Sequence, residues 1–264
     1  MGRNSRDLVK ITINFEAAES KIFRIYSGVF VRGFVYWVLL RENREFARKL
    51  HRSKSLAPFS VTPVMKNEIP VEKLEEGEDH SFSITFFVPE IGDAIKNYLM
   101  RTDSLYFTAV KNKIKEINVD NLSAKDFPEI PLKKFRVRFI TPCYFRIPGK
   151  YYRFVPLPIP ELIFRSLSRL YSAFVSTIPT EFREWVNSGA IVVSGHKIET
   201  KVVDLKKGNW SSGFVGWVNF SIPKENYVED FSKIVYKLLK FGEYSNVGGG
   251  RTSGLGVIKI ENIE

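Results

Sequence analysis

Every second residue of LVKITINFE (residues 8–16) is apolar, with Val9, Ile11, Ile13 and Phe15 on one side and polar residues between them. A period of two is the signature of a strand with one buried face. The period then changes. In GVFVRGFVYWVLLR, Phe30, Phe34, Trp37 and Val38 recur at helical spacing, and Ser27 stands where an N-cap would. NREFARKLH continues helically and ends near His51. PFSVTPV and SFSITFFVPE read as strands around the acidic loop EKLEEGEDH. EIGDAIKNYLM reads as a helix, and SLYFTAVKNKIKEINV as a strand pair or one long strand.

This order, β-α-β-β-α-β, is the ferredoxin-like arrangement. NLSAKDFPEIP (121–131) is polar with two prolines and reads as a linker. A similar series follows it. KKFRVRFI is a strand, YFRIPGKYYRFVPL a hairpin and ELIFRSLSRLYSAF a helix. AIVVSGHKIETKVVDL and FVGWVNFSI are strands, 225–240 is a helix, and Leu255, Val257, Ile258 and Ile260 mark a last strand. The pattern predicts an α+β chain of two tandem ferredoxin-like domains, residues 1–122 and 130–264.

Between the last helix and last strand lies FGEYSNVGGGRTSGLGVIKI, with six glycines in twenty residues. Gly250 is followed by Arg251 and Thr252, so the lysine of a P-loop is missing. A dinucleotide fingerprint runs strand, glycines, helix; here the order is reversed. A loop this poor in side chains lets backbone N–H groups and Arg251 come close to phosphates, which makes Gly248, Gly249, Gly250, Gly254 and Gly256 candidate phosphate contacts. The structural alternative is a tight helix-to-strand connection.

The formal charge is +11, and its distribution matters more than its size. Residues 1–60 carry twelve Lys/Arg against five Asp/Glu, 66–130 carry eight against thirteen, and 133–170 carry nine against one. Two basic regions flanking an acidic one point to a polyanionic partner. In KKFRVRFI, Lys134, Arg136 and Arg138 share one face while Phe135, Val137 and Phe139 take the other. Arg146, Lys150 and Arg153 add charge to a tyrosine-rich hairpin able to stack bases. The single Cys143 excludes a disulfide framework or cysteine zinc site, and no cofactor is expected. No apolar run is long enough for a membrane span and no signal core opens the chain, so a soluble cytoplasmic protein is expected. Glutamine is absent and Lys and Glu are abundant, a profile that leans towards a thermophile.

The glycine loop behind tandem ferredoxin-like halves resembles the repeat-associated RNA-binding (RAMP) proteins of CRISPR systems, which serve antiviral defence. RGFVYWVLL followed by ARKLHRSKSLAPFSVTPV is similar to their repeat-RNA endoribonucleases. The resemblance covers essentially the whole chain. It implies metal-free cleavage of CRISPR repeat RNA, in which a ribose 2′-hydroxyl attacks the adjacent phosphate and leaves a 2′,3′-cyclic phosphate and a 5′-hydroxyl. On the family pattern His51 is the acid–base group and Tyr36 helps orient or protonate. Their alternatives are an exposed helix-end histidine and a core aromatic.

The family's lysine position, six beyond the histidine, holds Ala57 here. Lys54 is therefore the third catalytic candidate, with Arg52 as a further phosphate contact. Some archaeal members lack the histidine and rely on Lys and Arg. His80 and His196 are weaker candidates. The implied partner is precursor repeat RNA, with effector-complex subunits and a homodimer as further possibilities. A non-catalytic RNA-binding RAMP subunit is the alternative reading.

Overall fold

The computed structural model describes residues 7–52, 56–123, 126–146, 154–206 and 208–264, apart from the side chains of residues 46, 49, 51 and 52. Two compact units form. One comprises Met1–Leu122 with Asp204–Asn209 and Thr252–Gly254; the other comprises Ser123–Val203, Trp210–Arg251 and Leu255–Glu264.

In the first unit, β1 (Leu8–Glu16) is followed by the short β2 (Lys21–Ile22), α1 (Gly28–Glu42) and α2 (Arg44–Arg52). Then come β3 (Phe59–Val61), β4 (Met65–Lys66), β5 (Ile69–Pro70), β6 (Lys73–Leu74) and β7 (Asp79–Phe86). The helix α3 (Pro89–Leu99), β8 (Ser104–Phe107) and β9 (Val110–Leu122) complete it. β1 lies between β7 and β9, and β3 pairs on the outer side of β7, all antiparallel. That order and the two crossing helices are the ferredoxin-like arrangement.

Val9, Ile11, Ile13 and Phe15 are buried beneath Val31, Phe34, Val35, Val38 and Leu39 of α1 and Ile91, Ile95 and Leu99 of α3. Two residues of the expected α1 stripe shift outward, since Phe30 and Trp37 are only partly buried. Ser27 precedes α1 without a side-chain cap bond, and its Oγ instead accepts from Val64 N at 3.1 Å. The 104–119 stretch is a strand pair, turned at Thr108 and Ala109 with φ of 56° and 66°. Neither residue is a common left-handed turn former, so the sequence did not mark the break.

The second unit repeats the scheme. It contains β10 (Lys134–Cys143), α4 (Pro160–Phe174), α5 (Thr180–Asn187), β11 (Val192–Lys206), β12 (Asn209–Ser221), α6 (Glu229–Ser245) and β13 (Ile258–Ile263). The sheet order is β11-β12-β10-β13, again ferredoxin-like. The helix α5 was not foreseen; it buries only Phe182 and Val186, too few apolar positions to stand out as periodic. The stretch read as a linker holds an anchor, because Phe127 is buried and meets the rings of Tyr171, Phe241 and Tyr244 at 6.4, 5.8 and 5.9 Å. Among the described residues no helix is long and apolar enough to cross a membrane.

Candidate functional site

The first turn of α1 meets a piece of the glycine loop. Tyr26 Oη donates to the Gly254 carbonyl at 3.1 Å, and Arg32 Nη1 donates to Ser253 Oγ at 2.9 Å. The contact is close enough to dictate residue type. A Cβ on Gly28 would stand 2.1 Å from the Ser253 carbonyl oxygen, and one on Gly254 would stand 2.7 Å from Pro63 N. Ser253 and Gly254 are thereby gripped between the start of α1 and the segment joining β3 to β4.

Tyr36 lies four residues beyond Arg32, so both side chains occupy one face of α1. Its ring is partly buried and meets Phe59 edge-on at 5.9 Å. Burial raises the pKa of its hydroxyl above the ordinary tyrosine value, and the Arg32 charge opposes that shift. At neutral pH Tyr36 therefore carries its proton and can donate it in a hydrogen bond.

His51 falls in the last turn of α2, but its side chain and that of Arg52 lie outside the described residues. Lys54, Lys150 and Arg153 lie outside them altogether. The remaining histidines differ in setting. His80 is buried, stacks on Phe15 at 5.9 Å and has Nδ1 3.0 Å from the Glu78 carbonyl oxygen. Burial depresses its pKa. His196 is exposed on β11. The acidic loop before His80 is neutralised in part, since Lys66 pairs with Glu75 at 3.0 Å and Glu78 at 3.2 Å, and Lys73 with Glu75 at 2.8 Å.

In the second unit the loop glycines are accounted for by packing. A Cβ on Gly248 would meet the Tyr144 carbonyl at 2.4 Å, one on Gly249 the Tyr144 ring at 2.4 Å, and one on Gly256 the Val247 carbonyl at 1.8 Å. Gly250, at φ 73°, turns the chain over Leu255. The N–H of Gly248 goes to Ser166 Oγ, that of Gly249 to the Tyr144 carbonyl and that of Gly256 to the Pro142 carbonyl. These three donors are committed inside the protein, which revises the expectation that they meet phosphates. Arg251 is partly buried and donates to the Ser245 carbonyl at 3.5 Å; burial, with Arg169 nearby, lowers its pKa to about 10.

The basic strand is also less bare than its sequence implies. Lys134 pairs with Glu264 at 2.9 Å, and Arg138 pairs with Glu261. Arg136 donates to Asn219 Oδ1 at 2.7 Å and lies over the Trp217 ring at 4.3 Å. The acid partners come from β13 and the residue just after it, more than 120 residues away, where local reading does not reach. Arg146 is exposed.

Sequence reasoning missed Arg32 and Ser253. The i,i+4 spacing of Arg32 from Tyr36 was an available signal, whereas nothing local to Ser253 announces its partner.

The family model for CRISPR-associated endoribonuclease Cas6 matches residues 137–258, just under half of the chain. A curated Cas6 endoribonuclease of Mycobacterium tuberculosis is 29% identical over 161 residues, 58% of this chain and 48% of the relative; the match thus spans about half of that relative's length. A Streptococcus thermophilus Cas6 is 26% identical over 186 residues, 70% of this chain and 72% of the relative. Among solved structures, a Cas6 product complex has a TM-score of 0.78 at 20% identity, covering 96% of this chain and 100% of that one. A Thermus thermophilus Cas6 has 0.72 at 18% identity, covering 98% and 100%. A RAMP protein binding different RNA substrates has 0.58 at 14% identity, covering 96% and 100%. Over part of its length the chain is thus similar in sequence to CRISPR-associated Cas6 endoribonucleases, and its tandem ferredoxin-like fold is shared with solved Cas6 and RAMP structures.

Proposed function

We propose that this protein is a metal-independent endoribonuclease that cuts CRISPR repeat RNA in the cytoplasm. The observation that carries the reading is the α1 face on which Arg32 and Tyr36 stand together, with Arg32 tied to the glycine loop through Ser253. The names of the curated relatives, CRISPR-associated endoribonucleases, support RNA as the substrate.

Cleavage by the neighbouring 2′-hydroxyl needs a base for that hydroxyl, positive charge at the phosphorane and an acid for the leaving oxygen. His51 serves as the proton-transfer group, since imidazole titrates near neutral pH. Attack forms the 2′-O–P bond and breaks the P–O5′ bond, giving a 2′,3′-cyclic phosphate and a 5′-hydroxyl once the leaving oxygen is protonated. Tyr36, protonated at working pH, donates a hydrogen bond that orients the phosphate. Arg32, Arg52 and Lys54 supply positive charge. Repeat RNA binding extends to Lys134, Arg136, Arg138, Arg146, Lys150 and Arg153.

One departure favours a second reading. Ala57 occupies the position where the family carries a lysine, which fits an RNA-binding subunit without cleavage. The test is a labelled repeat RNA incubated with the protein in EDTA. Cleavage that disappears when the ribose 5′ of the cut is replaced by deoxyribose, with binding retained, supports the enzyme. A requirement for divalent metal overturns the mechanism, and binding without cleavage selects the second reading.

A further inference from the structure

Three of the four tryptophans are engaged within the protein. Trp37 lies beneath the Arg41 guanidinium at 3.8 Å, and Trp217 beneath that of Arg136 at 4.3 Å. Trp185 donates its indole N–H to the Asn226 carbonyl at 2.8 Å. Trp210, second residue of β12, is different: 55% of its surface is in solvent. Exposing an aromatic of this size forgoes the burial for which the residue is otherwise used.

The ring is nonetheless held. Phe154 lies 5.7 Å from it at an interplanar angle of 41°, and Phe154 stands edge-on to the buried Tyr144 at 4.8 Å. Tyr144 in turn is the ring against which Gly249 packs. The strand ends around Phe154 are pinned by the reciprocal hydrogen bonds of Phe145 and Val155, at 3.1 and 2.8 Å. Arg146 hangs over this row, its guanidinium 5.8 Å from the Tyr144 ring and 6.0 Å from the Phe154 ring. An indole backed by a second ring, with an exposed guanidinium over that second ring, is an arrangement that can receive a nucleobase and its phosphate together.

We propose that Trp210 is a stacking platform for an unpaired base of bound RNA, with Arg146 neutralising the adjoining phosphate. The proposal rests on the RNA-binding reading above. It adds a site for single-stranded nucleotides within the second unit. The exposed Arg146 guanidinium over the same row of rings favours an anionic partner over an apolar protein surface. Stacking has no base preference, because every base offers a π-face.

The probe is a fluorescently labelled ten-nucleotide adenosine RNA, which cannot form a hairpin, alongside the repeat RNA. Trp210→Ala is expected to weaken binding of the decamer about ten-fold, in line with the cost of losing one aromatic–base stack. Trp210→Phe keeps a ring and is expected to stay within about three-fold of wild type. Stacking releases no counterions, so Trp210→Ala should leave the slope of affinity against salt unchanged, whereas Arg146→Ala should flatten it. Thermal melting of Trp210→Ala close to wild type confirms that an exposed ring was removed from an intact fold; if it melts lower, the Trp210→Phe arm decides. Decamer binding by Trp210→Ala equal to wild type overturns the platform, as does Trp210→Phe binding as weakly as Trp210→Ala. Loss of self-association with RNA affinity intact also overturns it, in favour of a second copy of the chain. If the wild-type protein binds neither RNA, it is the RNA reading itself that fails.

Discussion

Arg32 and Ser253, 221 positions apart in the chain, are joined by a 2.9 Å hydrogen bond from Nη1 to Oγ. The bond tethers a guanidinium whose residue shares one face of α1 with Tyr36. If that charge meets the phosphorane, Arg32→Ala is expected to slow single-turnover cleavage about 10²-fold, as removal of a transition-state donor does. Ser253→Ala, which leaves the charge but releases its tether, is expected to cost only a few-fold. Equal effects of the two substitutions, measured on the same repeat RNA, would assign Arg32 to holding the loop.

Proton transfer is tested at His51 and Tyr36. His51→Ala is expected to lower the cleavage rate by about 10²–10⁴-fold with RNA affinity nearly unchanged, because a proton-transfer group acts in the transition state and not in the ground-state complex. Tyr36→Phe keeps the ring against Phe59 and removes only the hydroxyl. The expected outcome is an unchanged melting temperature with a rate lowered about ten-fold or more. A full rate in Tyr36→Phe would make this residue a packing aromatic.

Two glycines of α1 should respond to alanine in opposite directions. In a helix interior alanine is the better helix former by roughly 1 kcal/mol, a gain that applies to Gly33 but not in full to Gly28 at the first position of α1. Gly33 faces open space, and Gly33→Ala is expected to raise the melting temperature slightly. Gly28→Ala puts a methyl 2.1 Å from the Ser253 carbonyl oxygen and is expected to destabilise by about 1–3 kcal/mol through overpacking. A stabilised Gly28→Ala would show that the loop does not dock on α1 as described.

The buried His80 makes stability depend on pH. Its folded pKa lies below the ordinary value of about 6.5, chiefly because burial disfavours the imidazolium. Below about 6.5 the unfolded chain takes up a proton that the folded one does not, so stability falls as the pH drops from there through the folded pKa. His80→Phe can keep the stack on Phe15 while removing the titration. Melting temperatures at pH 7.5 and pH 5 should then differ less in the variant than in the wild type. Equal differences would place the acid sensitivity elsewhere.

Particular residues show where local reading reached and where it stopped. The alternation of Val9, Ile11, Ile13 and Phe15, and the helical spacing of Val235, Leu238 and Leu239, arise from backbone geometry within a few residues. The longer elements and the doubled β-α-β-β-α-β order were therefore legible in the sequence, although the short α5 was not. So was the glycine loop as a place of close approach. What it approaches was not.

Ser253 against Gly28, Glu264 beside Lys134 and Glu261 beside Arg138 each depend on strand pairing and chain return across more than 120 residues. No local period encodes such partners. Composition alone made the strand from Lys134 to Arg138 a bare cationic face. The antiparallel pairing of β10 with β13 brought acids onto it, because register decides which side chains stand opposite one another. The exposed Trp210 is the reverse case. By sequence it was one aromatic among many, and only the tertiary packing of Phe154 and Tyr144 behind it left that indole facing solvent.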